Sequence, residues 1–404
     1  MSNDRLADAG PGRLGFLFAR TAFIDAAISR FASARLGPLP VPLVVVALVY
    51  LANFILSLIA DTRPGFDDRE QLEQMGQWAW GYSGVQPPLH TWLVKLVDVV
   101  VQDDLAAVYA TRFILLFLLA TLLYQIARAL QLSREGATAA AFGLFLMPPI
   151  GWEAQRAYSH SLSGLLFTAL FHLAVLLVLR RKNGWTYVLA GVGAALAILG
   201  KYNGLLAIAG GTVALLAWRD LRALVRPRGV LFAAIAFAAV LALPLVWLGS
   251  RMDTLDDSVG KFNIPESGSV VLTRLEGILA FAGACLSYAG PLIALAVIAV
   301  LVALADGRAG RVRITGLAPE TRYLMTAVAT SFAIALVLVL VSGATEVKGY
   351  WLHPVLVTLP AVSAALLGSI DRTGWANRLV IFCALPLAVT TVAVFAFRAV
   401  GIGA

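Results

Sequence analysis

Hydrophobic residues in this chain come in blocks about as long as a bilayer is thick, and polar residues are confined to the stretches between them. A helix needs about 20 apolar residues, at 1.5 Å each, to cross the hydrocarbon. Runs near that length fall at 41–60, 105–127, 136–150, 158–179, 229–249, 286–305, 323–343, 350–368 and 377–398. The stretch from Trp185 to Trp218 would make a single helix of roughly 50 Å, too long for one crossing. It is also interrupted at Lys201-Tyr202-Asn203, so it reads as a hairpin of two short spans. The pattern predicts an all-α polytopic membrane protein of about eleven spans.

Between the blocks, the longest polar stretches are 61–104 and 250–285, and both are amphipathic. Residues 69–85 and Val270 to Gly283 read as helices lying in the membrane interface, the second with Arg274 and Glu276 toward headgroups. Residues 1–40 read as a basic amphipathic segment, with Phe16, Phe23 and Phe31 set among Arg13, Arg20 and Arg30. One transmembrane domain over 41–400 follows, with no large soluble carboxy-terminal domain expected.

Composition agrees with this picture. At 60% hydrophobic, 13% charged and a mean hydropathy of +0.85, the chain cannot present a solvated exterior all round. Cys285 and Cys383 lie in apolar sequence with neither metal-ligand spacing nor a disulfide framework. No short apolar core with a cleavage site precedes the first span, so that span is expected to direct insertion.

Net charge +8 and a pI near 9.7 become a topology signal once the spans are placed. Putting alternate loops in the cytosol gathers Arg128, Arg134, Arg180, Arg181, Lys182, Arg219, Arg222, Arg226, Arg228, Arg308, Arg311, Arg313, Arg372 and Arg378 on one side, as positive residues are retained there. Both flanks of the 185–218 hairpin are then cytoplasmic and Lys201 is at its outer tip. The basic balance serves orientation and anionic lipid, and nucleic acid is not expected as a partner.

The opposite face collects the candidate chemistry: Asp61, Asp67, Asp68, Gln86, His90, Glu153, Arg156, His160, Lys201, Lys348 and His353. If a helix begins near Asp67-Asp68, one aspartate caps it and the other is available as a general base. Asp67, Gln71 and Gln74 would share a face of that helix. Pro87-Pro88 turns the chain back toward the bilayer. Glu153, Arg156 and His160, spaced at three and four, would form one polar stripe at the start of a span, a costly arrangement unless a wet cavity lies there. Lys201 and Lys348 sit in tight outer turns beside aromatics, where two cations would suit a phosphate-bearing substrate. The histidines lack an HExxH-type spacing and no metal site is assigned, although carboxylates there could hold a divalent ion. No cofactor is required.

The ordered set Asp67-Asp68, Trp80-Gly81-Tyr82, Gln86-Pro87-Pro88-Leu89, Gly200-Lys201-Tyr202-Asn203 and Lys348-Gly349-Tyr350-Trp351-Leu352-His353-Pro354 resembles the GT-C glycosyltransferases. More narrowly it resembles bacterial families 39 and 83, which include protein O-mannosyltransferases and the aminoarabinose and galacturonic acid transferases of lipopolysaccharide. The resemblance covers about residues 41–368. It implies a multi-pass enzyme of the bacterial inner membrane, with its active site facing the periplasm. The donor would be a polyprenyl-phosphate-linked sugar, and the acceptor lipid A, core glycan, another glycolipid or a protein hydroxyl. The family's first-loop acidic residue maps to Asp67, with Asp68 beside it, and a second carboxylate maps to Glu153. The sequence departs from the aminoarabinose transferases in having Gln86 where lysine often precedes Pro-Pro. That shifts phosphate binding toward Lys201, Arg156 or Lys348, with Tyr202, Trp351 and His353 as further substrate contacts.

Two other functions share the membrane setting. A flippase for lipid-linked sugars would also want a polar cavity, but inverted repeats and broken midplane helices are not evident. A purely structural subunit leaves the polar outer loops without a use.

Overall fold

A computed structural model describes residues 15–60, 64–82, 86–251, 269–307 and 316–401. Asp61, the first fourteen residues, Arg308, Arg311, Arg313 and residues 252–268 of the second outer segment lie outside them.

Helix α1 (Gly15–Ser33) is followed by a two-residue antiparallel ladder, β1 (Arg35–Leu36) with β2 (Leu39–Pro40), closed by Gly37 at φ +59°. Phe23 of α1 is 84% exposed, whereas Phe31 meets Phe142 edge-on at 5.9 Å, so only part of this helix faces outward. Helix α2 (Val41–Ala60) is the first long apolar helix. Helix α3 (Phe66–Gln74) then carries the two aspartates and stops, and the chain to Tyr82 is irregular. Helices α4 (Leu89–Val101) and α5 (Asp104–Ala129) come next, the latter capped by Asp103, whose carboxylate accepts from the Ala106 N–H at 2.8 Å.

The apolar run 136–150 is not a through-going span. Helix α6 (Arg134–Phe142) passes into a 3₁₀ turn, then the one-turn α7 (Pro148–Gly151) and a second 3₁₀ turn at Glu153–Gln155. Pro148 and Pro149 remove the backbone donors that would continue α6. Gly151 lies so close to Phe145 that a Cβ would be 2.7 Å from its Cα, which lets this broken segment fold on itself. Gln155 ties it to neighbouring helices: Asn53 of α2 donates to its side-chain oxygen at 2.6 Å and to Thr391 Oγ at 2.9 Å.

Helix α8 (His160–Arg181) is the most enclosed of the long apolar helices. The predicted hairpin follows as α9 (Gly184–Gly200) and α10 (Gly204–Ala217), both too short to count alone as spans. A short α11 (Arg219–Leu224) leads to α12 (Pro227–Gly249). Val270 to Ala305 forms one continuous 36-residue helix, α13, so the expected interfacial helix and the following span are a single element with Pro291 inside it. Helix α14 (Pro319–Ser342) ends at Gly343 with φ +77°. A 3₁₀ turn (Gly349–Leu352) and α15 (His353–Leu356) meet α16 (Leu359–Ile370) with a 54° bend, and α17 (Trp375–Ala399) closes the bundle.

Among the described residues seven helices are long and apolar enough to cross a membrane, eight if the bent pair is one span, with the α9–α10 hairpin in addition. Lipid supplies no hydrophobic drive between helices, so close contacts at small residues matter. A Cβ on Gly200 would lie 2.5 Å from the Gly164 nitrogen, and one on Gly164 would lie 2.8 Å from Lys201 Cβ. These two glycines bring the hairpin tip down onto the start of α8.

Candidate functional site

Helix α3 begins at Phe66, ahead of the aspartate pair. Gly65 is its cap, and neither aspartate takes that place. Asp68, at the third helical position, accepts from the Gly65 N–H at 3.2 Å and pairs with Arg112 of α5, both side chains almost fully buried. Its carboxylate is committed to holding α3 on α5.

Asp67 faces elsewhere. It is half-buried and accepts from the Ser159 backbone N–H at 3.3 Å and from Ser159 Oγ at 3.4 Å. Burial raises its pKa above the usual aspartate range, and the Asp68 charge adds to this. The Ser159 hydrogen bond, Arg112 and Lys201 pull the other way. A carboxylate held in this balance suits a general base.

The remaining side chains of that face do not line a cavity beside Asp67. Gln71 is buried, donating to His160 Nε2 at 2.9 Å and accepting from Thr91 Oγ at 2.9 Å, while Gln74 accepts from the same hydroxyl at 2.8 Å. His90 meets Ser163 Oγ at 2.9 Å, and its ring is 5.6 Å from that of His160. This buried polar layer fixes α3 and α4 against α8.

Glu153, Arg156 and His160 are not one stripe, because the chain is irregular between the 3₁₀ turn and α8. Glu153 accepts from the Tyr158 hydroxyl, Arg156 lies over Trp152 at 4.6 Å, and His160 points into the buried layer. Burial, and then the Glu153 carboxylate, hold the Tyr158 phenol well above its ordinary pKa, so it stays a donor.

Lys201 donates to Ser161 Oγ at 2.6 Å and lies 4.8 Å from the Tyr350 ring centre. It heads a cavity of about 440 Å³ that is polar at one end, where Gln86, Lys201, Tyr202 and Asn203 gather, and apolar along Phe281, Leu338 and Val339. Trp351 and Tyr350 form part of its wall, and the Trp351 carbonyl accepts from Asn203 at 2.7 Å. His353 is buried behind this wall, its Nδ1 2.8 Å from Tyr288 OH and its ring 5.3 Å from Tyr158. Lys348, by contrast, is not among the residues lining the cavity and pairs with Glu346 at 3.4 Å on the exposed rim. The two lysines approach Tyr350 from different sides of the cavity lining, Lys201 over its ring and Lys348 through its hydroxyl, and only Lys201 lines the cavity.

Sequence reading missed Arg112, Tyr158, Ser159 and Ser161. Arg112 had a signal, an arginine inside an otherwise apolar run, which asks for a buried partner. Among the described residues no group of three or more His, Cys, Asp or Glu could hold a metal ion; Glu70 and His160 approach to 3.9 Å, a pair without a third ligand.

This arrangement defines a multi-helix membrane protein with a half-buried carboxylate held at Ser159 and a cation lining a largely apolar cavity. The fold is shared with ArnT from Cupriavidus metallidurans bound to undecaprenyl phosphate: TM-score 0.60 at 15% identity, covering 89% of this chain and 77% of that one. An oligosaccharyltransferase from Archaeoglobus fulgidus also matches, with TM-score 0.52, 14% identity and 88% and 55% coverage. Residues 85–247 match the family model for dolichyl-phosphate-mannose-protein mannosyltransferase. The lipopolysaccharide core galacturonosyltransferase RgtB of Rhizobium johnstonii is 28% identical over 301 residues, 72% of this chain and 59% of that protein. RgtA of the same organism is 28% identical over 321 residues, 78% and 62%. The chain thus spans about three-fifths of the curated relatives it matches. The fold is thus that of ArnT, and the sequence is similar to these glycosyltransferases over about three-fifths of their length.

Proposed function

We propose that the chain transfers a sugar from a polyprenyl-phosphate carrier to an envelope glycan acceptor, lipopolysaccharide being the favoured class, on the outer face of the bacterial inner membrane. The observation that carries this reading is that Asp67 and Lys201 are held by neighbouring residues, Ser159 and Ser161, with Lys201 lining an otherwise largely apolar cavity. A cavity with one cationic end and apolar walls suits an amphiphile with an anionic head. The likeness to transferases named for lipopolysaccharide core supports the acceptor class.

In this reading the donor phosphate lies at Lys201, with Gln86, Tyr202 and Asn203 around it. Asp67 takes the proton from an acceptor hydroxyl as that oxygen attacks the anomeric carbon from the side opposite the phosphate. The anomeric carbon–oxygen bond breaks, its electron pair leaves on the polyprenyl phosphate, and configuration inverts. Lys201 stabilises the charge that develops on the leaving oxygen. Glu153 acts through Tyr158, which it holds against the rings of His353 and Tyr350.

The test uses purified protein in vesicles with a radiolabelled polyprenyl-phosphate sugar and lipopolysaccharide. Label should pass to the glycan with release of polyprenyl phosphate, and Asp67→Asn should stop it. Donor carried across the bilayer intact would point to a flippase instead.

A further inference from the structure

A second cavity, of about 610 Å³, lies at the other end of the bundle from Lys201, between α10 and α12. Its position follows from the glycine contacts. Gly191 of α9 and Gly229 of α12 leave no room for a Cβ against Ala233 and Tyr187, so α9 and α12 close on each other. Gly210 of α10 sits equally close to Ala327 and Ser331 of α14. α10 is drawn toward α14 while α12 is drawn toward α9, and a wedge opens between them.

The walls of this wedge are apolar apart from Tyr187, Thr212 and Arg222. Leu216 and Val230 line it and are 60% and 49% exposed, so it opens sideways to the acyl chains of the bilayer. Its volume is within the range of small-molecule sites, about 300–1,000 Å³. At its mouth α11 is fixed by Trp218 Nε1 donating to Thr326 at 2.9 Å and by the Asp220–Arg322 pair. The Tyr187 hydroxyl accepts from the Arg226 N–H at 2.8 Å, closing the floor. Among the described residues no carboxylate pairs with Arg222, whose one acidic neighbour on α11, Asp220, is taken by Arg322.

We propose that this wedge is a binding site for an anionic phospholipid of the leaflet at the basic end of the bundle, with one acyl chain between α10 and α12 and the headgroup phosphate at Arg222. Charge decides the occupant. An uncharged tail alone would not use Arg222, and a second copy of the chain would bring the same arginine-rich collar against itself. A basic residue near an anionic surface contributes about 1 kcal/mol.

Native mass spectrometry of the full chain, extracted from membranes of equal phosphatidylglycerol and phosphatidylcholine content, tests it. One phosphatidylglycerol should be retained in preference to phosphatidylcholine. Arg222→Gln should reduce that preference about fivefold. Thr212→Trp, which fills the wedge, should reduce retention of both lipids. Arg222 is exposed and outside the folded core, so its variant carries the test even if Thr212→Trp fails to fold. The proposal is overturned by equal retention of the two lipids, by an Arg222→Gln preference equal to wild type, by displacement of phosphatidylglycerol by polyprenyl phosphate, or by a dimer mass in place of bound lipid.

Discussion

Arg112 of α5 hydrogen-bonds to Asp68 and leaves its neighbour Asp67 to Ser159, so adjacent carboxylates on one helix have opposite fates. Asp68 is buried and ion-paired. Asp67 is held by weaker, longer contacts at the edge of the site.

The paired carboxylate is therefore structural. Removing one partner of a buried pair leaves an uncompensated charge and costs about 3–5 kcal/mol. Asp68→Asn should lower the unfolding temperature and the yield of folded protein. The double variant Asp68→Asn with Arg112→Met should recover most of the loss, because no charge is left buried. A single variant as stable as wild type in a detergent melting experiment would remove the pair from this account.

Asp67 should behave in the reverse way. A general base contributes about 10²- to 10⁴-fold in rate, so on the proposed reading Asp67→Asn should lose turnover by that order. Its folded pKa is raised, so the fold holds the protonated form more tightly than the unfolded chain does. The associated stability is present below the unfolded pKa and lost as pH rises through the folded one. At neutral pH the wild type bears that loss and the asparagine variant does not. Asp67→Asn should melt at or above the wild-type temperature at neutral pH, with the advantage vanishing below the ordinary aspartate range. An asparagine variant that melts well below wild type at pH 7 would count against the burial argument.

How far the sequence reached is visible in these two residues. Hydropathy located the helices because the bilayer requires long apolar runs, and the hairpin at Lys201 followed from length and from the polar interruption at Lys201-Tyr202-Asn203. The same rule failed at 136–150, where Pro148 and Pro149 break an apolar run that is buried by protein on all sides. It failed again at 270–305, where polar residues near one end suggested a boundary that a continuous helix does not have. The aspartate pair was legible as chemistry, but its division of labour was not, since Arg112 and Ser159 reach it only through tertiary packing. Lys348 shows the same limit: its turn resembles that of Lys201, yet only Lys201 is folded over the cavity.

Lys201 links the cavity to the base, and its removal should act on both. Loss of a charge-assisted contact to the donor phosphate, about 1.5–3 kcal/mol, should lower kcat/KM roughly 10- to 100-fold in Lys201→Gln. The ammonium also pulls the Asp67 pKa down, so without it that pKa rises further. The acid limb of the rate profile should move to higher pH in the variant. Lowered kcat/KM with an unmoved acid limb would separate phosphate binding from the base and show that the two residues act independently.

The placement of Lys201 depends on two glycines, and this can be tested away from any ionisable group. Gly200→Ala would force α9 away from the Gly164 backbone and lift the hairpin tip off Ser161, where Lys201 Nζ now donates at 2.6 Å. Overpacking of this kind costs about 1–3 kcal/mol. Activity should fall by more than stability alone explains, because the cation moves relative to Asp67. Gly283→Ala in α13 is the matched control. Nothing lies within 4 Å of the added methyl, and alanine is the better helix former by about 1 kcal/mol, so that variant should keep its activity and melt at or above the wild-type temperature. Equal activity in the two variants would mean that the approach of α9 to α8 does not set the position of the lysine.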